Sequence, residues 1–199
     1  MSLFDEAICR FDEANAQDPT AELVDGVTRP RELVYGERMS DCLARFAPDA
    51  PEPVRLAARG QHLCRWRIPR ASYPDGRAGY LKWRTDLHKL HADLAAQILK
   101  EVGYDDATIA RVGSLLRKRG LKTDPDMQLL EDVICLVFLE NYFHDFARKH
   151  DEAKLISILQ KTWRKMSDRA HRAALALSYA PEDLVLINKA LRSAPTASA

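Results

Sequence analysis

No apolar run in this chain approaches the roughly 18 residues that a membrane-spanning helix needs. The acidic start carries no apolar h-region of the secretory kind, so neither export nor a membrane span is expected. The four cysteines, Cys9, Cys42, Cys64 and Cys135, share no metal-type or redox-type spacing. They sit in helical patterns, which predicts reduced thiols in a cytoplasmic protein and not a disulfide frame. A GxSxG elbow, a phosphate loop, a CxxC pair and a Cys/His catalytic signature are all missing. Net charge is only +1, which excludes the global basic field of a dedicated nucleic-acid binder. Convincing period-two alternation is also lacking, so no strand is expected.

What the chain does have is ordinary globular composition, 46% apolar and 30% charged over 199 residues. That suits one domain with a real core. Its charge is segmental. Residues 1–58 hold twelve acids against six bases, residues 59–89 eight bases against two acids, and residues 111–122 five bases and no acid. Segmental charge favours a local site over a solvating coat.

Helical periodicity runs through most of the chain. It predicts helices over about 3–16, 32–46, 52–66 and 80–102, the last stopped by Gly103. Asp105 or Asp106 caps a helix ending near Gly120, and Asp124 caps the next, with Pro125 at its first position. That helix, about 126–148, contains Val133-Ile-Cys-Leu-Val-Phe-Leu139. Seven apolar residues in a row predict a central helix buried on all sides. Helices over 152–166, 168–179 and 182–192 follow. The expectation is an all-α domain of about eight helices over 1–192, with 193–199 a disordered tail.

The stretch Arg59–His91 concentrates the polar and aromatic chemistry. It divides into a helix end with Gln61 and His62, a loop stiffened by proline and glycine from Ile68 to Gly79, and a helix from Tyr80. On that helix Tyr80, Trp83 and Leu87 start the core stripe, while Arg84, His88 and His91 share one side at i, i+4 and i+7.

Arg65, Arg70, Arg77 and Arg84, with Lys118 and Lys122, can clamp phosphate or carboxylate. Trp66, Tyr73, Tyr80 and Trp83 interleave with them and offer stacking faces. The alternative is that these bases pair with the acidic first 58 residues. Glu131 and Asp132 enter just before the buried run, where a carboxylate must find a partner. An arginine pair, a helix-first-turn role or a metal would each serve, and His62 with Asp132 is the candidate metal pair.

The tripeptide Lys165-Met166-Ser167 resembles part of the KMSKS loop of class I aminoacyl-tRNA synthetases, but no HIGH motif or parallel-sheet pattern accompanies it. It is expected to be a helix end followed by an N-cap.

Two resemblances add to this. Gln61-His62-x-x-Arg65-Trp66-x-Ile68-Pro69-Arg70, then Tyr73-Pro74-x-Gly76-Arg77-x-Gly79-Tyr80-x-x-Trp83-Arg84, resembles a family of uncharacterised bacterial and fungal proteins filed as a domain of unknown function. Leu130–Glu140 and Lys161–Ser167 extend that likeness over about residues 3–192.

More faintly, the chain is similar to the HD superfamily of metal-dependent phosphohydrolases. Gln61-His62 stands at the helix end where that superfamily has His-Asp, Asp132 stands for its late Asp, and Glu37 falls where its first His would be. The HD resemblance implies a divalent metal on His62 and Asp132, with His88 or His91 as a further ligand or acid/base. Three functions stay open: an HD-like phosphohydrolase, a non-catalytic site for a small anion, a nucleotide or an RNA end, or a protein-interaction domain in which the Arg59–His91 stretch is an internal ion-pair and stacking network.

Overall fold

A computed structural model describes residues 1–121 and 123–192. Lys122 and the expected tail 193–199 lie outside the described residues. The protein is all-α apart from one hairpin, with ten α-helices and two 3-10 turns among the described residues. None of those helices is long and apolar enough to cross a membrane. The chain divides into two compact units, one over Met1–Leu130 and one from Glu131 onward.

In the first unit, α1 (Leu3–Asn15) starts at a capping box. Ser2 Oγ accepts from the Asp5 amide while the Asp5 carboxylate accepts from the Ser2 amide. Ala7, Phe11 and Asn15 form its buried stripe. Where no strand was expected, β1 (Ala21–Val24) and β2 (Val27–Pro30) pair antiparallel, with Val24 opposite Val27. Asp25 and Gly26 both have positive φ, 49° and 80°, as a two-residue hairpin turn of the primed type requires. Ion pairs Arg38–Glu22 and Arg29–Glu37 lay the hairpin on α2 (Arg31–Phe46).

Helix α3 (Glu52–Arg59) buries Val54, Leu56, Ala57 and Ala58. It approaches α2 so closely that a Cβ on Gly36 would lie 3.1 Å from the Arg59 carbonyl oxygen. The helix expected to reach Trp66 stops at Arg59, with Gly60 as its cap. A Cβ on Gly60 would stand 3.5 Å from the Phe11 ring, and four residues later Cys64 turns left-handed at φ 52°. Gln61 and His62 therefore sit in a tight turn and not on a helix.

Two 3-10 turns, Arg65–Arg67 and Arg70–Ser72, lead into α4 (Gly76–Val102). This helix begins four residues before the expected Tyr80. Its buried side is Gly79, Leu87, His91, Ala92, Ala95 and Leu99, so Tyr80 is exposed where a core position was expected. The stripe starts at Gly79 because only glycine fits there: a Cβ would fall 2.0 Å from the Pro74 carbonyl oxygen. Gly103 ends α4 at φ 103°, and Asp105 caps α5 (Asp106–Leu116) by accepting from the Thr108 amide. Helix α4 packs on α1 and α5, and α3 packs on α1, α2 and α5.

Helix α6 (Pro125–Asn141) starts from Asp124, whose carboxylate accepts from the Asp126 amide. It ends at Asn141, earlier than expected, and α7 (Phe143–Ala147) follows after one residue. Val133 and Val137 are fully buried, while Ile134 and Phe138 are only partly so. In the second unit α10 (Pro181–Arg192) packs on α7 and on α8 (Glu152–Trp163). Ser167 caps α9 (Asp168–Leu175).

Candidate functional site

The turn after α3 delivers His62 to the first turn of α2. His62 Nδ1 lies 2.9 Å from Glu32 Oε2, and its Nε2 lies 3.3 Å from an Arg65 guanidinium nitrogen. A guanidinium can only donate. Nε2 must therefore accept, which puts the proton on Nδ1, where the Glu32 carboxylate receives it. The Tyr35 ring stacks on the imidazole at 3.8 Å between centroids and 12° between planes. Position, tilt and tautomer of His62 are thus each set by a different neighbour.

Glu32 is held just as firmly. Its amide donates to Asp18 Oδ2 at 3.1 Å, and its carbonyl accepts from Asn15 Nδ2 at 3.3 Å. The other end of the Asn15 amide accepts from the Cys64 amide at 2.9 Å. One buried asparagine at the end of α1 therefore joins the start of α2 to the 61–64 turn. His91 comes in from α4, with Nδ1 donating to the Leu63 carbonyl at 2.8 Å and its ring 6.0 Å from that of His62.

The electrostatics favour neutral imidazoles. Burial, then the charges of Arg65, Lys118, Arg31 and Arg84, hold the His62 pKa well below its ordinary value. Burial, then His62, pushes His91 down to about 3. Burial raises Glu32, against the pull of Arg65 and Arg31. Four cationic side chains thus act on His62, and Glu32 is the carboxylate it touches. The His62 side chain keeps 22% of its surface exposed. Gln61, 3% exposed, carries a side-chain oxygen with no hydrogen-bond partner among the described residues, which is unusual for a buried amide.

Lys118 reaches this environment from an uncommon backbone. Its amide donates to the Leu115 carbonyl and that of Arg119 to the Ser114 carbonyl, the two bonds of a Schellman motif. The left-handed position at φ 56° is filled by lysine instead of glycine, at a cost of about 1–3 kcal/mol.

The other candidates separate into groups. Trp83 donates from Nε1 to the Ile68 carbonyl at 2.8 Å, and the Arg65 guanidinium lies over its ring at 4.8 Å. Arg84 is half-buried, with no hydrogen bond or ion pair among the described residues. Arg70 donates to the Tyr73 and Pro74 carbonyls and closes the loop on itself. Tyr73 donates to Asp86 at 2.7 Å. Arg77 and Tyr80 are exposed, and Trp66 and His88 half-buried.

Glu131 and Asp132 belong to the second unit. There Lys165 lies 3.1 Å from Glu131, while Asp132 accepts from both the amide and the hydroxyl of Ser167. Ser167 in turn caps α9 through the Ala170 amide, so Lys165-Met166-Ser167 is a cap and its approach. Glu37 pairs with Arg29.

The residues that the sequence did not single out are Glu32, Tyr35 and Arg31. The one signal for Glu32 was an acid in the first turn of a helix, where the dipole alone explains it.

Residues 5–187, nearly the whole chain, match the family described as Domain of unknown function (DUF4202). The chain belongs to the DUF4202 family. No curated protein and no solved structure matches it. The DUF4202 match runs through Glu32, His62, Arg65 and Arg84 and across the α6 junction of the two units.

Proposed function

We propose that the first unit binds a small phosphate-bearing or other anionic ligand beside His62, through Arg65, Arg84 and Lys118. The observation that carries this reading is the charge imbalance. Arg65 lies 3.3 Å from a partly exposed imidazole that the charges of Lys118, Arg31 and Arg84 also reach, and its carboxylate partner among the described residues is Glu32. An anion there gains charge-assisted bonds to half-buried groups.

Titration with inorganic phosphate and pyrophosphate tests it. A ligand at a hundred times its Kd stabilises a protein by about 2.7 kcal/mol, which raises Tm by roughly 5–10 °C for a chain of this size. Arg84→Ala is expected to weaken binding about tenfold or more, because a hydrogen bond to a charged group contributes roughly 1.5–3 kcal/mol. Arg84 makes no hydrogen bond or ion pair among the described residues, so an unchanged Tm shift in that variant would refute the site.

Hydrolysis of a bound phosphate ester is the second reading, favoured by the Glu32–His62 pair. A carboxylate on Nδ1 makes Nε2 the base position once a substrate displaces the Arg65 guanidinium that now donates to it. A divalent metal fits these residues poorly. Both ring nitrogens of His62 are engaged, its surroundings are cationic, and both Asp132 oxygens serve Ser167. Among the described residues no group of three or more His, Cys, Asp or Glu is placed to hold a metal ion. Turnover of a phosphate ester, with and without added Mn²⁺, separates hydrolysis from binding alone.

A further inference from the structure

The aromatic neighbours of Arg65 narrow the ligand class. The Trp83 indole is locked by its bond to the Ile68 carbonyl. Arg65 lies over that indole at 4.8 Å, and the Tyr80 ring leans on it at 5.8 Å and 47°. Tyr80 and Arg65 are thus each one contact from the same fixed ring. Arg65 faces His62, whereas Tyr80 is 44% exposed. An exposed aromatic ring one contact away from the ring that carries a half-buried guanidinium is an arrangement that a simple anion leaves half unused.

We infer that the anion site takes a nucleoside phosphate, its base stacked on Tyr80 and its phosphate held by Arg65, Arg84 and Lys118. This inference rests on the anion reading above and adds the base. Every nucleobase offers a π-face, and stacking on an aromatic side chain tolerates any base. Arg77 lies three residues before Tyr80 and Arg84 four after it, so the ring stands on a helix face flanked by two cations. Inorganic phosphate and sugar phosphates satisfy the arginines and leave Tyr80 in water. A nucleotide satisfies both.

Calorimetric titration of the full chain with AMP, GMP, CMP and UMP, against ribose 5-phosphate and inorganic phosphate, tests this. At least one nucleotide is expected to bind about tenfold or more tighter than ribose 5-phosphate, the difference that one stacked base supplies. Tyr80→Ala is expected to bring that nucleotide down to the ribose 5-phosphate level without changing ribose 5-phosphate itself. Tyr80→Phe is expected to behave as the parent. Equal affinity for nucleotides and ribose 5-phosphate would overturn the stacking inference and leave the anion site standing. So would a Tyr80→Ala loss shared by both ligand types. No binding of any phosphate would overturn the anion reading and this inference with it.

Discussion

Lowering the pH from 7 to 5 is expected to remove about 2 kcal/mol of folding stability through His91 alone, and His91→Asn is expected to remove that loss. His91 is 1% exposed and its pKa is pushed down to about 3, first by burial and then by His62. In the unfolded chain it takes up a proton near 6.5. Between those values the unfolded state binds the proton and the folded state does not, so stability rises with pH across the window. The His91 contribution is complete above about 6.5 and is lost progressively as pH falls toward 3. His62, also depressed, acts in the same direction. Glu32 acts in the opposite one, because its raised carboxyl takes up a proton more readily when folded.

Asparagine keeps an N–H for the Leu63 carbonyl and does not titrate. Urea midpoints at pH 7, 6 and 5 for the parent and His91→Asn give the slopes directly. Equal slopes would show that His91 is not the group responsible.

Asn15→Ala should be the most damaging single substitution around the site, at roughly 2–4 kcal/mol. Asn15 is 2% exposed and bonds the Cys64 amide and the Glu32 carbonyl at once. Alanine leaves a buried N–H without its acceptor, worth about 1–3 kcal/mol. It also releases Cys64, whose left-handed backbone stores about 1–3 kcal/mol of strain and persists only when its surroundings enforce it. For a chain of this size the loss lowers Tm by roughly 4–16 °C. Because the same clamp sets Glu32 against His62, phosphate binding is expected to fall in the surviving folded fraction. A Tm within about 1 °C of the parent would mean that the turn holds its shape unaided.

The sequence showed most plainly what short-range chemistry determines. Gly103 stopped α4, Asp105 and Ser167 capped their helices, and Asp124-Pro125 opened α6. What it hid depends on partners far along the chain. Glu32 looks like any first-turn acid until Asn15, Asp18 and His62 close around it. The helix pattern from 52 to 66 continues past Gly60 on paper, but the Phe11 ring and the left-handed Cys64 end it. Tyr80 has the spacing of a core residue, yet the contact between Gly79 and Pro74 rotates the buried face by one position. The hairpin was missed because four-residue strands barely register a period of two. Its Asp25-Gly26 turn was the available signal.

The basic side of α4 descends from water into the protein. Arg77 is exposed, Arg84 is half-buried, and His91 at the far end is closed off. Fourteen residues of helix separate the first from the last, about 21 Å. Salt screens exposed charges beyond about 8 Å at physiological ionic strength and screens buried ones far less. For the anion proposed above, Arg77 would therefore act mainly on its approach through water and the half-buried Arg84 on its retention, while the neutral His91 adds no charge at the closed end.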